Sequence, residues 1–164
     1  MTETIGALVA LFFLGFLAAV VWWDVRHFRI PNLLNAAIAG LFGLSAAVGT
    51  YPADGLWGHV GAGGLAFCAG MFIYFQGWAG GGDAKLLGAL VLWTGWTPDS
   101  LRLIAIMSLV GGVVSLVVWW SARRKASPLP DGQQAKVPYG VALAVAGFDF
   151  WLRQLFPMLL SSPL

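Results

Sequence analysis

Residues 4–23 carry no charged side chain, end in Trp22-Trp23, and are followed at once by Asp24. A helix of that length rises about 30 Å, the thickness of a bilayer's hydrocarbon. The run therefore predicts a membrane span with its tryptophans in the interfacial belt. Glu3 precedes it and no basic segment does, so it reads as a retained helix rather than a cleaved signal peptide. Further apolar runs follow at 33–49, 56–76, 84–96, 101–120 and 138–156, divided by links rich in Gly, Pro and charge. The fold class is accordingly all-α: a polytopic membrane protein of about six transmembrane helices, with one domain over 1–164. Only 10% of the residues are charged, where a soluble domain carries about 25%. The net charge of +2 sits in short clusters, so nucleic acid is not an expected partner, whereas membrane lipid is.

The links set the expected helix ends. Pro31 disfavours helical backbone at Ile30, and Asn32 reads as the N-cap of the second helix. Gly40 and Gly43 in the second run, and Gly58, Gly61, Gly63, Gly64 and Gly70 in the third, read as points of close helix approach. Residues 50–55, with Pro52, Asp54 and Gly55, read as a tight turn. The fourth run is short, about 20 Å as a helix. It is expected to begin at or before Asp83 and to reach Pro98, or to be met by a thinned membrane. Pro138 suits the first turn of the sixth helix, and the tail from Pro157 reads as frayed. Cys68 reads as a small packing residue.

Six spans place the links 24–32, 77–83 and 121–137 on one side. That side holds Arg26, Arg29, Lys85, Arg123, Arg124, Lys125 and Lys136, and the other has Arg102 and Arg153. The asymmetry predicts a multi-pass inner (cytoplasmic) membrane protein with these links in the cytoplasm and both termini outside. Asp24 and Asp83 then lie at matching depth on the cytoplasmic side. Glu3, Asp54, Asp99 and Asp131 fall in loops or at the terminus. Asp149 lies inside the sixth run, with Arg153 four positions on to share its face.

Two carboxylates facing one another across a water cannot both ionise cheaply, so they share a proton. The ionised member can take a proton from the attacking water, and the other can donate one to a peptide carbonyl. Such hydrolysis needs no nucleophilic side chain and no cofactor. A metal site would want three or four converging ligands. His27 reads instead as an interfacial loop residue, and His59 as a packing or outer-interface residue.

The segment Gly80-Gly81-Gly82-Asp83-Ala84-Lys85 resembles the second catalytic motif of the type IV prepilin peptidases, a branch of the intramembrane GxGD aspartyl proteases. Asp24-Val25-Arg26-His27-Phe28-Arg29-Ile30-Pro31-Asn32 resembles their first motif, and Lys136-Val137-Pro138-Tyr139-Gly140 a third, softer signature. The two aspartate motifs come in the family's order and on one predicted face. The likeness runs over essentially the whole chain, nearest to the short form that serves Flp-type (tight-adherence) pili, with archaeal preflagellin peptidases more distant. It implies an aspartic-type endopeptidase with Asp24 and Asp83 as the catalytic pair. The implied substrates are prepilins or pseudopilins, with a basic leader cut at the cytoplasmic face ahead of a hydrophobic helix. Larger members add a cysteine-paired cytosolic domain and methylate the new N-terminus. Here the chain opens on a span and has one cysteine, so peptidase activity alone is expected.

Around the pair, Gly80 and Gly82 would let backbone approach the substrate or Asp24. Asn32, Asn35, Lys85, Pro138, Tyr139 and Gly140 are expected to bind substrate or shape the site. Arg123, Arg124 and Lys125 read as topology determinants, since a basic leader would not seek them. The sequence leaves a homodimer open. A small proton- or cation-coupled transporter could also use paired acids, but near the midplane and commonly with an inverted repeat, which this chain does not show. A non-enzymatic pilus or secretion assembly subunit would need no paired acids.

Overall fold

The computed structural model describes residues 2–51, 55–124 and 137–160. Pro52 and Asp54 of the expected turn, and Lys125, Asp131 and Lys136 of the long polar link, lie outside the described residues. The apolar runs fold as α1 (Thr2–His27), α2 (Asn32–Ala47), α3 (Leu56–Phe75), α4 (Gly81–Thr94), α5 (Pro98–Arg124) and α6 (Tyr139–Phe150). A π-helical turn, Trp151–Leu155, carries α6 on into α7 (Phe156–Leu160). The chain from Pro157 to Leu160 is therefore helical and packs on α1, not frayed as its position suggested.

The protein is an all-α polytopic membrane protein, but among the described residues four stretches rather than six are long and apolar enough to cross a membrane. These are Glu3–His27, Leu56–Phe75, Pro98–Ser121 and Tyr139–Leu160. The other two runs form shorter helices for identifiable reasons. After Ala47 the chain reverses at Gly49, whose φ is +69°, and Ser45 Oγ bonds both Phe42 O and Tyr51 O at 2.8 Å. The fourth helix starts at Gly81 as its sequence implied but stops at Thr94, short of Pro98. Gly95 takes φ +65°, and Thr97 Oγ1 accepts the N–H of Asp99, which makes Pro98 the opening residue of α5. α4 packs on α2, α3, α5 and α6. A helix enclosed by protein has its terminal backbone groups met by protein rather than lipid, so it need not match the bilayer.

The close approaches lie between α3 and α4. A Cβ added at Gly63 would sit 2.9 Å from Leu92 Cβ, one at Gly70 3.0 Å from Ala84, and one at Gly88 2.7 Å from Phe67 Cβ. Gly58 and Gly61 face the Trp96 ring. Gly40, Gly43 and Gly64 meet nothing within 4 Å, which corrects the reading of all three as packing points. Ile38, Leu41, Phe42 and Ser45 form the buried face of α2, and helical periodicity turns Gly40 and Gly43 outward. Cys68 is likewise exposed rather than packed.

An aromatic knot ties four helices together. Phe13 and Phe42 meet Trp93 edge-on at 4.9 and 5.5 Å, and Phe150 lies 6.2 Å from Phe13. Trp93 Nε1 donates to Ile38 O at 3.0 Å, so the knot leaves this polar group satisfied in an apolar interior. His59 stacks on Phe42 and its Nδ1 lies 3.0 Å from Leu92 O, a packing role. Asp149 accepts from Arg153 at 2.9 Å, the local pair its spacing implied, and from Arg102 at 2.9 and 3.0 Å. Asp99 belongs to the same network, taking Arg153 and Gln154 from the π-helical turn. It stands in the first turn of α5, where the sequence suggested a loop acid without a special partner.

Candidate active site

The end of α1, the starts of α2 and α4, the end of α3 and the approach to α6 meet at one end of the bundle, opposite the Asp99–Arg153–Asp149 network. Asp24 stands one turn before the end of α1 and is 3% exposed. Its Oδ2 accepts the backbone N–H of Val141 at 3.2 Å. α1 closes on Phe28, which takes φ +49° and returns its N–H to Asp24 O at 2.8 Å. A left-handed residue at this position is usually glycine, and holding phenylalanine there requires the surroundings to fix it. His27 forms part of this last helical turn, its ring on Trp23, and is not a loop residue.

Beyond Phe28 the chain tucks Ile30 into the interior, 7% exposed, and this residue joins the two aspartate segments. A Cβ at Gly82 would lie 3.1 Å from Ile30 Cβ and Ile30 O, so the glycine-rich segment rests directly on the loop that follows Asp24. A Cβ at Gly80 would lie 2.7 Å from Asp83 Oδ2, and its absence gives that carboxylate room against the backbone. The glycine that Asp24 itself meets is Gly140, where a Cβ would fall 2.7 Å from Asp24 Oδ2 and 2.8 Å from Ile30 Cδ1. All three segments singled out in the sequence thus converge.

Asp24 and Asp83 line one cavity of about 310 Å³, with Arg29, Asn32, Tyr74 and Lys85 also on its wall. Asn32 opens α2 but does not cap it. Pro31 occupies the cap position without a side-chain bond, and Asn32 Oδ1 instead accepts Lys85 Nζ at 2.8 Å. An ammonium across the cavity gives that amide a charged donor, which outranks a neutral backbone N–H. Asn35 lies behind the glycine-rich segment, 5% exposed, with Nδ2 donating to Gly82 O at 3.1 Å and Oδ1 unpartnered. It lines a separate hollow between α2 and α3. Tyr139 borders an apolar hollow that it shares with Asp83, and its hydroxyl lies 3.2 Å from Ser115 Oγ. Pro138 precedes α6 as its cap residue rather than sitting in the first turn. Among the contributors that escaped sequence reasoning as site residues are Phe28, Arg29, Ile30, Tyr74 and the Val141 N–H. The first three lie inside the Asp24 segment, but nothing in their pattern distinguishes them from a plain basic loop.

Residues 11–116 match the model of the type IV leader peptidase family, a span that holds Asp24 and Asp83 together. The chain belongs to the type IV leader peptidase family. No curated protein and no solved structure matches it. The family match stops before Pro138, so in this leader peptidase family member the third segment is tied to the other two by geometry, through Gly140 and Val141 on Asp24. Among the described residues, no three of His, Cys, Asp and Glu converge to hold a metal ion.

Proposed function

We propose that this chain is an aspartic-type endopeptidase of the inner membrane that removes the basic leader from type IV or Flp-like prepilins and pseudopilins at the cytoplasmic face. The observation that carries the reading is the shared cavity: two carboxylates 59 positions apart (83 − 24) line one polar hollow at the helix ends. Water bound between them loses a proton to the ionised carboxylate as its oxygen attacks the scissile carbonyl carbon. The protonated carboxyl donates its proton to the carbonyl oxygen, giving a neutral tetrahedral diol. The first acid then returns its proton to the departing amine as the C–N bond breaks, while one diol hydroxyl gives its proton to the second carboxylate, which leaves the carboxyl product and restores the starting pair. Atoms and protons balance without a covalent intermediate or a cofactor. The Val141 N–H on Asp24 and the bare Gly140 fix one carboxylate, and the Gly80–Gly82 segment resting on Ile30 fixes the other. Both acids stand within a turn of their helix ends, a depth suited to cutting a leader rather than to moving ions across the midplane.

The test is a gel assay of prepilin processing by purified Asp24→Asn and Asp83→Asn enzymes. Each is expected to accumulate in the membrane and to yield no product. Substantial processing by either variant removes that residue from the pair.

A further inference from the structure

Asp83 stands between two hollows of opposite character. On one side is the polar cavity it shares with Asp24, Arg29 and Lys85. On the other is an apolar hollow of about 220 Å³ lined by Ile73 of α3, Leu87 of α4 and Met107 of α5, where Asp83 is the sole charged wall residue among the described residues. A second apolar hollow of about 530 Å³ follows it along the same three helices, lined by Leu65, Ala69, Val91 and Ile104 and, among the described residues, by no charged one. The two share none of the described wall residues but lie within a turn of one another on α3 (Ala69 and Gly70), α4 (Leu87 and Val91) and α5 (Ile104 and Met107). Together they form a trough with α3 and α5 for walls, α4 for floor and Tyr139 and Leu143 of α6 at its Asp83 end. It is open because α5 packs chiefly on α6 and slightly on α4, with no extensive packing onto α3. From Ala62 to Ile73 the α3 wall runs about 16 Å at about 1.5 Å per residue.

We propose that this trough seats the hydrophobic helix of the substrate, with the helix's N-terminal end at Asp83 and the charged leader in the polar cavity. The inference rests on the leader-peptidase reading and adds to it the path by which substrate reaches the acids. A prepilin changes from charged to apolar at one point in its sequence, and the wall of this protein makes the same change at Asp83. Matching the two puts the scissile region beside the acids without unfolding the substrate helix along its length. The comparable hollow between α2 and α3 is lined by Asn32, Asn35 and Lys85 and reaches neither aspartate, so a helix there would leave its leader junction away from both. An acyl chain would fill the trough when no substrate is bound, and the substrate helix would displace it sideways from the bilayer.

Disulfide trapping tests the seat directly. In a Cys68→Ala, Asp24→Asn enzyme, single cysteines are placed on the trough at Ala69 or Ile104, and away from it at Phe72 or Leu109. Each is oxidised in membranes with a prepilin carrying one cysteine in its hydrophobic helix. Cross-links from Ala69 and Ile104 but not from Phe72 or Leu109 are expected. Cross-links absent from both trough positions, found only at the control positions, or joining two enzyme copies through Ala69 would overturn the proposal, leaving lipid or a second copy as occupant. In the otherwise unaltered enzyme, Ala69→Trp narrows an exposed part of the trough and is expected to raise KM for full-length prepilin about tenfold, the affinity equivalent of overpacking one contact. It should raise KM far less for a soluble peptide that ends shortly after the scissile bond. Equal effects on both substrates would defeat the seat while leaving the peptidase standing. Failure of the unaltered enzyme to cut either substrate would defeat the peptidase reading itself.

Discussion

The backbone N–H of Val141 reaches Asp24 Oδ2 across 3.2 Å, so the first residues of α6 hold a carboxylate from the last turn of α1. Gly140, its neighbour, leaves no room for a side chain beside that carboxylate. Gly140→Val is therefore expected to displace Asp24 by about 1 Å and to lower the cleavage rate about a hundredfold. Initial rates per amount of folded enzyme in detergent check this. A folded Gly140→Val enzyme with full activity would mean that α6 does not position Asp24.

Asn35 supports the other acid from behind. Its Nδ2 donates to Gly82 O in a buried setting, so Asn35→Leu leaves that carbonyl unpaired at a cost of about 1–3 kcal/mol. Asn35→Asp puts an acceptor where a donor is needed and is expected to be worse than Asn35→Leu in both thermal stability and kcat. The loss in Asn35→Leu is the readout, since an Asn35 that merely filled space would tolerate leucine with stability and kcat unchanged.

Asp149→Asn is expected to keep most prepilin cleavage while lowering the thermal stability of the purified protein. Asp149 is held by Arg102 and Arg153 at the far end of the bundle from Asp24. Side-by-side rates for Asp149→Asn, Asp24→Asn and Asp83→Asn decide it. A complete loss for a folded Asp149→Asn protein would defeat the two-acid account.

Orientation is open to labelling in intact cells. In a Cys68→Ala background, a cysteine replacing Trp96 should react with an impermeant reagent, and one replacing Trp78 should not. Both side chains are well exposed, at 65% and 77%. The seven-to-two distribution of basic residues predicts this result, and the end bearing Asp24 also carries Arg26, Arg123 and Arg124, each stacked over a tryptophan four residues earlier. Reversed labelling would put the acids outside.

Much of this architecture was legible in the sequence because apolar runs and Gly/Pro links report directly on helix existence. The starts of α3 and α4, and the pairing of Asp149 with Arg153, follow from periodicity and spacing alone. Helix environment was not legible. Gly40 and Gly63 look equivalent in the sequence, yet only Gly63 meets a neighbour, because which face of a helix turns inward depends on its partners. The enclosure of α4 by four helices is a property of the assembly, so its early stop at Gly95 read as a span in need of extension. At the candidate site, the motifs singled out Asp24, Asp83 and Gly140. That Gly140 rather than Gly82 meets Asp24 rests on a contact over more than a hundred positions, which no local pattern encodes. Asn32 was misread because local capping chemistry was weighed without Lys85, 53 positions away.

The brevity of α4 bears on where hydrolytic water comes from. Its 14 residues rise about 20 Å, against about 30 Å for hydrocarbon. Asp83 sits in its first turn, so the candidate site lies below the level that the longer helices reach. In the proposed peptidase the polar cavity would then act as a dimple in the bilayer surface, with bulk solvent, rather than a channel through the protein, supplying each water consumed. Turnover in vesicles should accordingly slow as acyl chains lengthen and the dimple deepens.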